Sequence, residues 1–428
     1  MSSVEKYEEA EIIQRDQLAL SEKVLGYNHE ITTWCVQNLA FALCRQEKYE
    51  QAESLLREQL LIRGQVPEAD LADVPSISIL TIMTELSNVF YDLGKYKEAL
   101  FLLKKMLVGW RKVVGDNHPG TLNTLQDLGK ACEELKDFKE SEKHYRQVME
   151  TRRSLLGDDN KLVLQSAHRL GKVLKQQESD EKRKEAEEIL RQVVSKREIV
   201  LGKFHKDTLA SASALGHTLL KRKCYQEAET WFRRVLTGTE ETLGESHKST
   251  LYARDDLEDV LCEQRKWPEL VESCRYSLAL RRKLGPENDD TLRIAAYLGG
   301  ALMNIGNGEG VALLDEVILK AQGFHSTYRE QGNLKEAVLA KEREYGTSII
   351  RFGLRGPQTM EVLKTLALMH DETGKYDAAD YAFGFLIDDM EATWGSHDRR
   401  SLDLKAEFAQ LLDKQGKHDK AAQLRKQS

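Results

Sequence analysis

A five-residue pattern, an aromatic or basic residue followed by acidic and small ones, recurs at near-constant spacing along the whole chain. It reads Tyr49-Glu50-Gln51-Ala52-Glu53, Tyr96-Lys97-Glu98-Ala99, Phe138-Lys139-Glu140-Ser141-Glu142, Tyr225-Gln226-Glu227-Ala228-Glu229 and Tyr376-Asp377-Ala378-Ala379. Weaker copies stand at Lys184-Glu185-Ala186-Glu187 and Lys335-Glu336-Ala337. With the small residue as marker, the series runs Ala10, Ala52, Ala99, Ser141, Ala186, Ala228, Leu270, Val311, Ala337, Ala379, Ala421. Its steps are 41 to 47 residues, except for one of 26. A period near forty belongs to stacked supersecondary units, none of which buries its apolar face alone. It overrides the count of about three globular domains that length alone suggests.

Each unit reads as a helical hairpin. Twelve residues before the marker stands a small residue preceded by a leucine: Leu39-Ala40, Leu86-Ser87, Leu128-Gly129, Leu215-Gly216, Leu298-Gly299, Leu366-Ala367. Where two helices cross closely, a small side chain admits the large one opposite, and enlarging it costs ~1–3 kcal/mol. Between hairpins comes a Leu-Gly-x-x-His pattern, as in Val114-Gly115-Asp116-Asn117-His118-Pro119-Gly120-Thr121-Leu122 and Leu201-Gly202-Lys203-Phe204-His205-Lys206-Asp207-Thr208-Leu209. The glycine is expected to end one helix in the left-handed region, and Thr or Asp to cap the next. Tyr7 to Val24 reads as a helix with Ile12, Ile13, Leu18, Leu20 and Val24 on an apolar stripe.

These residues resemble the tetratricopeptide repeat, and the 42-residue period with its Leu-Gly-x-x-His-Pro-x-Thr-Leu linker resembles the kinesin light chain subtype. The resemblance covers about residues 7 to 424. It implies an all-α, right-handed α-solenoid of about ten helical hairpins. Within it, residues 7–310 are expected to form an N-terminal sub-array with an insert loop at 64–75. Residues 311–336 read as an irregular, shortened unit, because the 26-residue step follows the glycine-rich Asn304-Ile305-Gly306-Asn307-Gly308-Glu309-Gly310. Residues 337–424 then form a C-terminal sub-array.

Composition narrows the function. A formal charge of −7 and a pI near 6.0 provide no general attraction to nucleic acid or anionic membrane. Charged residues are 31% of the chain and prolines only six, as suits long solvated helices. The six cysteines show neither C-x-x-C nor zinc-ligand spacing, and read as small hydrophobes in a reducing compartment. No apolar run approaches the ~18 residues that span a bilayer. The expected compartment is the cytoplasm, with the nucleus open.

His29, His118, His205, His247 and His397 invite a metal reading. Equivalent side chains of successive units lie too far apart to share an ion with bonds of ~2.0–2.1 Å. Asn160 and Asn288 replace histidine in the same register, which suits a loop hydrogen bond. Every Gly-Lys pair lacks the Ser or Thr of a phosphate loop, and no G-x-S-x-G or H-E-x-x-H occurs. No cofactor, metal or catalytic residue is assigned, and the chain reads as a non-enzyme.

In tetratricopeptide arrays the first helix of each hairpin lines a concave groove, with ligand contacts at polar positions beside the Leu-small pair. Carried over, the resemblance points to Asn123, Gln126 and Lys130; to His168, Lys172 and Lys175; and to His217 and Lys221. This basic strip suits an acidic segment or a C-terminal carboxylate of a partner protein. Protonation of His168 and His217 would strengthen such binding below pH ~6.5. Asp255, Asp259 and Glu263 reverse the sign further on. Trp34 and Tyr91 stand near the groove's beginning as aromatic floor or as packed core; Trp110, Trp231, Trp267 and Trp394 read as packing. The function is thus a peptide-binding interaction scaffold or adaptor. Two other readings stay open: the sensing array of a larger NTPase switch, and a small-ligand binder or enzyme using the groove.

Overall fold

The structure is a computed structural model that describes residues 3–27, 29–62, 77–285 and 288–426, residues 3–6 as backbone only. The insert expected at 64–75 lies outside the described residues. Residues 1–231 make one compact unit and residues 232–428 another. The first holds α1 (Ser3–Leu25), α2 (Glu30–Arg45) with α3 (Tyr49–Ile62), α4 (Ile77–Asp92) with α5 (Tyr96–Val114), α6 (Pro119–Glu134) with α7 (Phe138–Leu156), α8 (Lys161–Gln176) with α9 (Asp180–Leu201), and α10 (Lys206–Lys221). The division falls within α11 (Tyr225–Leu243). The second holds α12 (Lys248–Glu263) with α13 (Trp267–Leu284), α14 (Asp289–Asn304) with α15 (Glu309–Glu330), α16 (Leu334–Phe352), α17 (Pro357–Glu372) with α18 (Tyr376–Trp394), and α19 (Arg399–Lys414) with α20 (His418–Lys426).

Among the described residues everything regular is helix, and the fold is the expected all-α solenoid of stacked hairpins. Each unit buries its apolar stripes by packing every helix on its chain neighbours, as α5 does on α4 and α6. The Leu-small rule is steric. A Cβ on Gly129 would come within 2.8 Å of the Tyr145 ring, and one on Gly171 within 2.7 Å of Leu190 Cγ. The Ser141 marker adds a hydrogen bond across its crossing, its hydroxyl donating to the Gly129 carbonyl at 2.7 Å.

The acid that follows the marker does more than solvate a helix start. It accepts from a lysine at the turn or second-helix start of the next hairpin: Lys95 Nζ reaches Glu53 at 2.7 Å, Lys182 in the first turn of α9 reaches Glu142 at 2.6 Å, and Lys417 reaches Asp380 at 2.7 Å. The motif therefore joins successive repeats as well as turning within one.

The linkers differ from expectation in who does the capping. His29, His118, His205 and His247 are the N-caps, each Nδ1 accepting a backbone N–H two residues on at 3.1–3.2 Å. Asn160 caps α8 and Asn288 caps α14 with their side-chain oxygens. The threonine points backwards instead: Thr32, Thr121, Thr208 and Thr250 donate to the carbonyl of the linker glycine at 2.6–2.9 Å. His397 is one residue out of register, so Asp398 caps α19. Gly115 shows why the helix stops where it does. Its φ of 84° comes with ψ of 177°, not the left-handed helical value, and this corner of conformational space is open essentially to glycine alone.

Three further expectations change. Of the apolar stripe expected on α1 only Leu18 is buried; Ile12, Ile13, Leu20 and Val24 are exposed on a helix that α2 covers from one side. At the 26-residue step nothing is shortened: α15 runs 22 residues and packs on both α14 and α16. α15 itself stands before α16, with His325 twelve residues ahead of the Ala337 marker and its Nδ1 3.3 Å from the Ala337 carbonyl. The crossing residue there is Gly310, not Val311, since tight turns from Gly310 N to Asn307 O and from Val311 N to Gly308 O begin α15. A Cβ on Gly310 would meet the Gly299 carbonyl at 2.5 Å.

Candidate functional site

All eight site residues inferred from the sequence lie in the first unit, on α6, α8 and α10. Helical spacing puts each set on one side of its helix, flanking the small residue that locks the hairpin. Lys172 and Lys221 are exposed, Lys130, Lys175 and His217 half-buried. Lys130 Nζ sits 4.0 Å from the centroid of the Tyr91 ring, whose hydroxyl donates to the Asp127 carbonyl at 3.4 Å. Lys221 Nζ donates to Gln176 Oε1 at 2.8 Å, joining α10 to α8. Burial, then the nearby Arg183 charge, shifts the Lys221 pKa down.

His168 cannot serve as the pH-responsive contact. Its Nδ1 lies 3.2 Å from Ser211 Oγ. Burial first, then the charges of Arg197, Lys172, Arg169 and Lys175, hold its pKa down at about 3. It stays neutral across pH 5.5–8, so the strengthening of binding expected from its protonation is withdrawn.

Asn123 and Gln126 are held together by a residue that the sequence reading missed. Arg152, on the second helix α7, is 3% exposed. It donates through Nη2 to Asn123 Oδ1 at 2.9 Å, and through Nη1 to Gln126 Oε1 and Ser166 Oγ, each at 2.9 Å. One guanidinium thus ties α6, α7 and α8. Arg197 on α9, 5% exposed, repeats the arrangement with the Asp207 carbonyl at 2.6 Å and Ser211 Oγ at 2.7 Å. Every acceptor these two show is neutral. Burial, then Arg169, disfavours the charged form of Arg152, and the Asp127 carboxylate nearby opposes them only in part. The signal was available in the register, because both arginines stand eleven residues after their markers, Ser141 and Ala186, where an amphipathic helix should be apolar.

Around this pair the first-helix face is basic on α8 and α10, with Arg169, Lys172, Lys175 and Lys221. The sign changes on α12 in the second unit, where Asp255 is 4% exposed and paired with Arg281 at 2.6 Å and with Arg293. Trp34 proves to be surface, 57% exposed. With Ile31, Gln37, Ile77 and Thr81 it lines an open cleft of about 670 Å³ between α2 and α4. Trp110 is buried and stacks on His118. Trp394, 45% exposed, is covered by Arg400, whose guanidinium lies 3.9 Å from the ring centroid. Among the described residues no three His, Cys, Asp or Glu side chains converge as a metal site, and no helix is long and apolar enough to cross a membrane.

Comparison with known proteins follows the same lines. Two tetratricopeptide repeat models match the chain, one over residues 3–63 and 78–154, the other over 163–207 and 208–248, together just over half its length. The fold is similar to the apo form of RapI, with a TM-score of 0.53, 11% identity, and coverage of 81% of this chain and 94% of that one. It is similar to the apo form of the quorum sensor NprR from B. thuringiensis, with a TM-score of 0.51, 13% identity, and coverage of 90% and 97%. A structure of nearly identical TPR-like repeats of a putative kinesin light chain from Podosopora anserina matches at TM-score 0.44 and 22% identity, covering 50% of this chain and 99% of that one. At these identities the structural likenesses bear on fold alone. No curated protein sequence matches significantly.

Proposed function

The chain belongs to the tetratricopeptide repeat family, and from that premise we propose that its interaction scaffold holds an acidic segment of a partner protein across the first helices α6, α8 and α10. One observation carries the reading: Arg152 and Arg197 are buried beneath this face with only neutral acceptors, under a rim of Lys130, Arg169, Lys172, Lys175 and Lys221. Excess positive charge in a partly desolvated surface is screened less than in open water, and a carboxylate laid on it gains charge-assisted hydrogen bonds. The rest of the protein is net negative, so the field that selects an acidic partner is local. Groove-bound peptides of this kind bind at micromolar levels, on the order of −8 kcal/mol.

The test is the joint charge reversal Lys130→Glu, Lys172→Glu and Lys221→Glu, compared with wild type by affinity purification and mass spectrometry. The expected outcome is loss of acidic partners with unchanged far-ultraviolet circular dichroism. Recovery of the same partners by the variant sinks the proposal.

A further inference from the structure

One hairpin reverses the packing rule that the others obey. Counting along each first helix from its N-cap, the position that closes the crossing is Gly129 after His118, Gly171 after Asn160, Gly216 after His205 and Gly299 after Asn288. After His247 the same position is Glu258. It is fully buried, at 0% exposure. Opposite it, where α7 has Tyr145 and α9 has Leu190, α13 has Cys274, also at 0%. The sizes of the two partners have been exchanged: large carboxylate against small thiol in place of glycine against a large apolar side chain. The steric demand of a close crossing is met, and its polarity is not.

The polar demand is met by half. Ser273 and Ser277 of α13 donate to Glu258 Oε1 at 2.8 and 2.5 Å, while Oε2 has no hydrogen-bond partner. The cations nearby are engaged elsewhere: Arg254 with Glu240 of α11, Arg281 of α13 and Arg293 of α14 with Asp255. The remaining ionisable neighbours on α12 and α13 are Asp255 and Cys274, and on the α14 side Asp259 beside Tyr297. No cation pairs with the carboxylate; the charge of Arg254, engaged by Glu240, is what favours its ionised form. Burial without an ion-pair partner makes this carboxylate costly when ionised, while the two serine hydroxyls and the Cys274 thiol, which donate to it, oppose that cost. Of the hairpins contained within one unit, α12 and α13 also pack against each other most sparsely.

We propose that the α12–α13 crossing is a proton-gated joint, closed when Glu258 carries a proton and loosened when it ionises. Burial moves the Glu258 pKa up from 4.5 to about 6, the serine hydrogen bonds opposing. The folded, closed state therefore binds a proton more tightly than the opened state. Closure is most favourable below pH ~4.5, weakens as pH rises through about 6, and bears the full penalty above that.

The experiment is hydrogen–deuterium exchange on the full chain at pH 5.0 and 7.5, corrected for intrinsic exchange, with α17–α18 as internal reference. Wild type should lose about tenfold of its protection in α12–α13 between the two pH values, with α17–α18 unchanged. Glu258→Gln should remove that dependence, and Asp259→Asn should keep it. Should Glu258→Gln fail to fold, the double variant Glu258→Gly, Cys274→Leu restores the glycine–leucine crossing of Gly171 and Leu190 and should be equally insensitive to pH. Equal protection in wild type at both pH values overturns the proposal, as does a pH dependence that survives removal of the Glu258 carboxyl.

Discussion

Arg152 on α7 and Arg281 on α13 occupy one register, eleven residues after their markers, yet they are accommodated in opposite ways. Arg281 meets a buried carboxylate, Asp255, which it shares with Arg293. Arg152 meets an amide at the equivalent position, Gln126, together with Asn123 and Ser166. The repeat thus specifies where a buried cation can sit without specifying how its charge is neutralised. At Arg281 neutralisation comes from a buried carboxylate; at Arg152 the hydrogen-bond partners are neutral dipoles, which under the proposed function leaves attraction over for a ligand.

The sharpest way to break this contrast is Asp255→Ala. It leaves two guanidiniums without their carboxylate and should destabilise the second unit by ~3–5 kcal/mol, read as a lowered denaturation midpoint in urea. Arg152→Met should cost less, ~1–3 kcal/mol, since the groups it abandons are neutral acceptors. A loss as large as that of Asp255→Ala would mean that Arg152 is compensated by something other than its three hydrogen-bond partners. The smallest effect on stability tests the idea most directly. Gln126→Glu provides Arg152 with the carboxylate that Arg281 already has, and should add about 1 kcal/mol of stability. The same change should weaken binding of an acidic peptide about tenfold, measured by fluorescence anisotropy. Tighter binding in Gln126→Glu would refute the view that the unneutralised guanidinium serves the ligand.

Much of the framework was legible in the residues. The hairpin turns, the close crossings at Gly129 and Gly299, and the histidines as loop hydrogen-bond formers all follow from local rules, since a cap or a crossing there involves residues within about sixteen positions of each other. The capping threonine was misassigned for a physical reason: its hydroxyl has two nearby backbone options, and the linker glycine carbonyl left exposed by the positive φ wins. The surface position of Trp34 was not legible, because an aromatic in a helix is equally at home in a core. Nor was the neutrality of His168, whose surroundings include Arg197 from another helix. Arg152, Arg197 and Glu258 left a trace in the sequence as polar residues at apolar or small register positions. That trace marks them as exceptional without saying what they touch.

The chain's own order of residues determines the repeat, the helices and the family, because helix caps, turns and apolar stripes are satisfied within one hairpin or its immediate neighbour. Tertiary structure alone decides the charge state and availability of the polar residues set into that framework. Gln126 and Ser166 meet at Arg152 although forty positions apart, and Asp255 and Arg293 come together from thirty-eight positions apart. The strength of a buried charge is set by such partners and by the water excluded around them, neither of which a local pattern contains.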